Sequence, residues 1–354
     1  MVECRYKIRS QTLQNAVFCY NKIVKRISKS GLHRICLGIF FGFLLNYQEV
    51  IMLVPLVLDI KGNSLDDGPG IRSAVFFKGC PLSCVWCHNP ESKHSQAELS
   101  FDASSCINCG SCRGVCRVGA LELRNPYYVD RSRCTLCFAC TEVCPAKAIT
   151  RVGKQMTHDE LFDKLMSDKP FYDVSGGGVT LSGGEATLCT EWVGELARRL
   201  HEAGVRVLLE TCGQFDWERA EKHLLPYVDD IFCDVKILDR EKHKKYCGVY
   251  NDRILENIRR MWSGKERLGY SFLPRTPLIP GITDTEENLT EIAAFLSELG
   301  IERAQLLAYN PTWYPKNDKL GLRLCDELKG VDGFQSREQL DKAKKIFSDK
   351  NIIC

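Results

Sequence analysis

With 354 residues and 20 cysteines, the chain is long enough for one large domain and a small one. A formal net charge of +3 is too weak to argue for a nucleic-acid or a membrane partner. The cysteines cluster at two- and three-residue spacings, which suggests metal rather than disulfides and a reducing compartment, the cytoplasm of an anaerobe or facultative anaerobe.

Residues 1–51 do not fit the rest of the chain. Residues 1–34 are basic and unpatterned, with Lys22, Lys25, Arg26, Lys29 and Arg34. Residues 35–45 (ICLGIFFGFLL) are apolar but too short to span a bilayer, and no small-residue cleavage site comes after them. Gln48-Glu49-Val50 can be encoded with a bacterial ribosome-binding sequence just ahead of Met52. The expectation is a native start at Met52, with 1–51 a non-native extension; a short membrane-associating helix is the alternative.

Residues 54–60 read as an edge strand, and 63–70 (NSLDDGPG) as turn chemistry. Residues 71–78 (IRSAVFFK) are β-branched and aromatic and read as a strand. Next is a loop carrying Cys80, Cys84 and Cys87. Three thiolates hold three corners of a cubane iron–sulfur cluster, which ordinarily takes four cysteines. The fourth corner is then open to a substrate. A closed zinc site would want a fourth ligand nearby, and the next cysteine, Cys106, belongs to another pattern.

The spacing C-x3-C-x-aromatic-C resembles the signature of the radical S-adenosylmethionine (SAM) superfamily. The longer text DDGPGIRSAVFFKGCPLSCVWCHNPES over 66–92 is similar to one branch of it, the activating enzymes of glycyl radical enzymes. The resemblance implies an α/β fold: a partial, open (β/α)6 TIM-like barrel, with an inserted two-cluster ferredoxin-like domain. On this reading 52–100 begin the barrel, 101–150 form the insertion, and 151–354 complete the barrel and end in a C-terminal helix.

The insertion carries Cys106-x2-Cys109-x2-Cys112-x3-Cys116 and, 28 residues on, Cys134-x2-Cys137-x2-Cys140-x3-Cys144-Pro145. This is close to the bacterial ferredoxin run, in which the fourth cysteine ligates the other cluster. Cys106, Cys109, Cys112 and Cys144 are therefore assigned to one cluster, and Cys134, Cys137, Cys140 and Cys116 to the other. Arg117 stands where proline usually comes next, which changes a turn but not the ligand count. The segment has too few apolar residues to fold without its metal, and its expected use is electron relay.

Helix and strand signals then alternate. Helices are expected at 157–168, 190–203, 217–225, 285–299 and 336–348. Strands are expected at 176–181, 205–209, 230–232, 270–278 (broken by Pro274) and 304–309. Polar groups gather at the strand ends. Gly183, Gly184 and Glu185 resemble the family's site for the SAM amino group. Glu210 and Thr211 match residues near the methionyl group, in some members through a monovalent cation. Asp234, Val235 and Lys236 match residues near the same carboxylate or cation. Arg275 is placed to meet the SAM carboxylate, with a structural salt bridge as the competing reading. Trp86 and His88 are expected on the adenine edge, with hydrophobic packing as the alternative. Asn310 stands where relatives often place a ribose-contacting histidine. Cys212 reads as a small packing residue.

The function implied is activation of a glycyl radical enzyme. SAM binds the open iron, an electron arrives from flavodoxin or ferredoxin through the inserted clusters, and the deoxyadenosyl radical takes hydrogen from a glycine of the partner. Three 4Fe-4S clusters and SAM are the cofactors. Two alternatives stay open: a radical SAM enzyme acting on a small molecule or another peptide, and a pure electron-transfer protein.

Overall fold

The structure is a computed structural model and describes residues 54–354; the expected start at Met52 and the extension 1–51 lie outside the described residues. β1 (Leu56–Ser64) pairs antiparallel with β2 (Arg72–Phe77) across the turn the sequence marks. Gly68 and Gly70 take φ of +123° and +73° there, which only glycine adopts at low cost.

Residues 98–152 form a separate small layer. β3 (Glu98–Phe101) and β4 (Ile149–Val152) pair antiparallel in a two-stranded sheet. Between them lie two short helices, α1 (Ser111–Val115) and α2 (Ala139–Glu142). Non-extended backbone repeats across the segment: positive φ occurs at Asn108 and Leu136, at Gly110 and Phe138, and at Gly119 and Lys147. Each pair is separated by the 28 residues of the sequence repeat, so the two cysteine runs share one backbone plan.

After β5 (Lys154–Gln155) come α3 (His158–Met166), α4 (Lys169–Ser175) and β6 (Gly178–Gly183). α3 starts on a full capping box, Thr157 with Glu160, which satisfies two orphan donors of the first turn. The alternation continues through α5 (Thr190–Glu202), β7 (Arg206–Thr211), α6 (Trp217–His223) and β8 (Asp230–Asp234). Next come α7 (Arg240–Cys247), α8 (Asp252–Leu268), β9 (Ser271–Pro277) and α9 (Glu286–Glu298). β10 (Gln305–Leu307), α10 (Tyr314–Leu320) and α11 (Arg337–Ser348) close the chain.

The sheet order is β10-β9-β8-β7-β6-β2-β1-β5. The six strands from β2 to β10 are parallel neighbours in sequence order, and β1 and β5 are antiparallel at one side. Helices cover a parallel sheet, so its strands are apolar on both faces. Val179 and Leu181 of β6, Val207, Leu208 and Leu209 of β7, and Ile231 and Cys233 of β8 are accordingly all buried. Each such side chain contributes about 1.5–3 kcal/mol. At the opposite end from the site, buried Arg72 laces strands together. Its Nε donates to Thr180 Oγ1 and its Nη2 to the Val179 carbonyl, each at 2.8 Å. Burial lowers that guanidinium to about 10.

Three expectations need correction. The strand expected at the sheet edge, β1, has β5 on its outer side, so β5 is the edge. Pro274 does not break its strand; it sits opposite Cys233 inside β9. The stretch after β8 holds two helices the sequence reading did not mark, α7 and α8. In α8, Ile254, Asn257, Ile258 and Met261 face inward, the spacing of an amphipathic helix.

Candidate active site

Parallel register brings one end of every strand to a common face. Phe77 lies opposite Gly183, Thr211 opposite Cys233, and Asp234 opposite Arg275. The cysteine loop leaves β2 at this face. It is held by main-chain bonds: Gly79 N–H to Ser92 O at 2.7 Å, Ser83 N–H to Cys247 O at 2.8 Å, and Val85 N–H to Tyr246 O at 3.0 Å. The last two come from the C-terminal turn of α7, so a helix absent from the sequence reading clamps the loop. Leu82 and Trp86 anchor it in a second apolar cluster with Ile237, Ile279, Tyr309 and Trp313.

Cys84 is buried, and Cys80 and Cys87 are half-buried. A hydrogen bond with the Cys247 thiol holds Cys84 below the usual thiol range, which favours the thiolate a metal requires. Cys212 lies against Cys80; that bond and then burial push the Cys212 thiol up. Its amide also donates to Glu185 Oε2 at 2.7 Å. Cys212 is thus part of the site and does more than fill space, and Cys247 is a site residue the sequence reading passed over. Neither belongs to a spaced motif; only the fold brings them to the loop.

Facing the loop are charges from three successive strands, β7 to β9, joined by Ser182 of β6. Arg275 of β9 donates to Glu210 Oε1 of β7 at 2.6 Å and to Asp234 Oδ1 of β8 at 3.3 Å. Lys236 donates to Asp234 Oδ2 at 2.5 Å, and Ser182 of β6 to Glu210 Oε2 at 2.5 Å. Burial pushes Asp234 up, but Lys236 and Arg275 outweigh it and hold its carboxyl below the usual range. Burial likewise disfavours the Lys236 ammonium, and Asp234 more than restores it. Arg275, left open between ligand contact and salt bridge, forms salt bridges to both acids.

Glu185 is buried and accepts from Thr187 Oγ1 at 2.7 Å, Thr211 Oγ1 at 2.9 Å and the Cys212 amide. Gly183 has φ +111°, and a Cβ on Gly184 would strike the carbonyls of Gly79 and Ser92. These glycines let the Glu185 turn press against the cysteine loop. Three expected contacts stand apart from this group. Val235 buries its side chain in the main core and donates its N–H to Arg275 O at 2.7 Å. Asn310 uses its side-chain oxygen to cap the turn at Thr312. His88 is exposed at the rim while Trp86 is buried, and Lys316 of α10 donates to the His88 carbonyl at 3.0 Å.

The small layer contains two hollows open to solvent. Cys106, Cys109, Cys112 and Cys144 line the first. Cys116, Cys134, Cys137 and Cys140 line the second. Among the described residues no group of His, Cys, Asp and Glu side chains is set to hold a single metal ion; the thiols instead surround spaces. Four thiols around each space, and three with an open side at the strand ends, are donor sets that fit iron–sulfur clusters. The layer meets the main body through α10: Lys319 Nζ pairs with Asp102 at 2.8 Å, and Arg131 donates to the Lys319 carbonyl at 3.4 Å. Lys78, fully buried at the end of β2, pairs with Glu98 of β3 at 2.9 Å.

Residues 131–293 match the Radical SAM superfamily, 105–148 the 4Fe-4S dicluster domain and 66–109 the 4Fe-4S single cluster domain. The isethionate sulfite-lyase activating enzyme of Oleidesulfovibrio alaskensis is 40% identical over 261 residues, 72% of this chain and 83% of that protein. The indoleacetate decarboxylase activating enzyme of Tractidigestivibacter scatoligenes is 38% identical over 280 residues, 76% and 87% of the two chains. The 4-hydroxyphenylacetate decarboxylase activating enzyme of Clostridioides difficile is 36% identical over 311 residues, 84% and 95%. Fold and site define a radical SAM enzyme with ferredoxin-type iron–sulfur domains. Within that class, the chain belongs to the activating enzymes of glycyl radical enzymes, oxidoreductase-type enzymes that cleave SAM and form a glycyl radical in a partner enzyme.

Proposed function

We propose that Cys80, Cys84 and Cys87 hold the SAM-binding 4Fe-4S cluster, and that the two inserted hollows hold two further clusters that relay the electron. The observation that carries this is the three-thiol loop at the end of β2, facing charges from three neighbouring strands. When bound, the cluster supplies the electron that splits SAM and so starts hydrogen abstraction from the partner's glycine. The chain's own residues do the rest. Cys247 and Cys212 steady two of the thiols. Lys236 and Arg275 present cations beside Glu210 and Asp234, so the carboxylate and ammonium of an amino acid find opposite charges within one cluster. Glu185, Gly183 and Gly184 form the wall against the loop, Thr211 tying Glu185 in place. His88 and Asn310 are candidate adenosine contacts, Trp86 is buried behind the cysteine loop with packing as its competing role, and Val235 contributes main chain only. A monovalent cation would draw on Glu210, Thr211 and Asp234, in competition with Arg275 and Lys236.

The sheet, six parallel strands with an antiparallel pair at one side and β10 as the free edge at the other, suits the open (β/α)6 barrel reading, with 101–150 as its insertion and 151–354 its remainder. An open side gives a glycine-bearing loop of the partner access to the strand ends. A flavodoxin or ferredoxin in the cytoplasm is the proposed donor; among the described residues no helix is long and apolar enough to cross a membrane. The test is anaerobic incubation of the reconstituted protein with SAM, reductant and candidate glycyl radical enzymes. A glycine-type doublet in electron paramagnetic resonance is the expected result; deoxyadenosine release without that doublet on any candidate overturns the assignment.

A further inference from the structure

The two halves of the insertion share their positive-φ positions at 28-residue spacing, with one exception. Tyr128 has φ +61°, and neither Ser100 nor Met156, 28 residues to either side, shares it. A bulky aromatic in the left-handed region is strained, at a cost of about 1–3 kcal/mol, and persists only where its surroundings impose it. Here they do. The Tyr128 N–H donates to Asn125 O at 2.8 Å and its carbonyl accepts from Glu122 N–H at 2.9 Å. Leu121 bridges Val129, and the ring stacks on Phe101 with centroids 4.2 Å apart. The residue is 5% exposed, and its hydroxyl ends 3.0 Å from Cys112 Sγ.

The other hollow is built differently. Cys140 stands 28 residues after Cys112 and has no hydroxyl partner among the described residues. Leu121, Val115 and Phe138 line that space, and the side-chain hydroxyl seen at Cys112 is replaced there by a main-chain contact, the Ala120 amide 3.3 Å from Cys116 Sγ. Ser111 and Asn108 also approach first-hollow cysteines, Ser111 Oγ at 3.4 Å from Cys109 and Asn108 at 3.7 Å from Cys106. Both are exposed, where water competes.

We infer that the Tyr128 hydroxyl donates to the Cys112 thiolate and raises the reduction potential of the cluster held by Cys106, Cys109, Cys112 and Cys144, leaving the other inserted cluster untouched. This rests on the relay reading above. Reduction adds one electron, taken from the donor, with no bond or proton transferred. The added negative charge spreads onto the ligand sulfurs. A buried hydrogen-bond donor therefore stabilises the reduced form more than the oxidised form, and hydrogen bonds to sulfur are one determinant of cluster potential. Tyr128 is a positioning and tuning residue; it touches a ligand, not the substrate.

The experiment compares full-length wild type and Tyr128→Phe, each reconstituted anaerobically, by iron and sulfide content and by redox titration monitored with electron paramagnetic resonance. The phenylalanine keeps the stacking and the backbone and removes only the donor. The expected result is a negative shift of one inserted cluster, with the other two signals unmoved and with Tyr127→Phe indistinguishable from wild type. Replacing Tyr128 with 3-fluorotyrosine, a stronger donor, moves the same signal the opposite way and serves if the phenylalanine protein assembles poorly. Unshifted potentials in a three-cluster protein, or equal shifts of both inserted clusters, overturn this inference alone. A wild type that assembles a single cluster overturns the relay reading and this inference with it.

Discussion

The strand-end site and the inserted layer both depend on cysteines, yet they are built on opposite foundations. Around the strands, a long apolar core runs from Val57 to Ile352 and is formed by side chains such as Val193, Leu196, Leu209 and Ile231. Burial of that surface fixes the strand ends whether or not metal is bound. In the insertion the buried cluster is Leu99, Leu121, Tyr128, Val129 and Ile149, together with Cys112 and Cys140, two of the proposed cluster ligands. There thiols take part in the small core, so clusters held as proposed would make ligand binding and folding one event. On the proposed reading, one region is a scaffold that presents a cofactor and the other a wrapping that closes around one.

The largest effect that can break this contrast is metal removal. Anaerobic chelation should unfold 101–150 and leave the parallel sheet intact, a loss on the order of 10 kcal/mol for the insertion. Hydrogen exchange checks it: fast exchange from Cys106 to Cys144 with continued protection in β6 to β9 is expected, and uniform retention or uniform loss contradicts it.

Next comes the buried charge group. Arg275→Met leaves Glu210 without its cation and Asp234 with Lys236 alone, and should cost about 3–5 kcal/mol of stability in urea unfolding, with weaker SAM binding by calorimetry. The sign with pH is definite. Asp234 has a lowered carboxyl pKa, so its stabilising contribution is present above the ordinary value of about 4 and is lost as pH falls further. The penalty of Arg275→Met should therefore shrink below about pH 4, where Asp234, having lost one of its two cations, takes a proton; a penalty that grows there contradicts the assignment. The smallest effect is at the rim. Lys316 is 40% exposed where it meets Glu91, so Lys316→Met should cost less than about 1 kcal/mol. Its melting temperature should move little and its SAM affinity not at all.

Much of this was legible in the chain because the signals are local. Cys80, Cys84 and Cys87 are close in sequence, the strand ends carry Gly183, Glu210 and Asp234 in their own apolar runs, and the 28-residue repeat states itself. What was not legible depends on long separation. Cys247 meets Cys84 only because α7 folds back onto the loop, and Tyr128 reaches Cys112 only through a strained turn. Arg275 could not be assigned until register set it between Glu210 and Asp234. Helix α8 did show its pattern in Ile254, Ile258 and Met261, but many charges on its outer face hid it. Pro274 was read by its own propensity, whereas its neighbours β8 and β10 hold the strand through it.

The central claim is that three thiols of one loop hold the cluster at which SAM is cleaved. Iron content and deoxyadenosine formation in reconstituted, reduced Cys84→Ala protein test it most directly. The account predicts about 12 irons per chain in wild type, about 8 in the variant, and no deoxyadenosine from the variant. Cleavage of SAM by Cys84→Ala at the wild-type rate would contradict it.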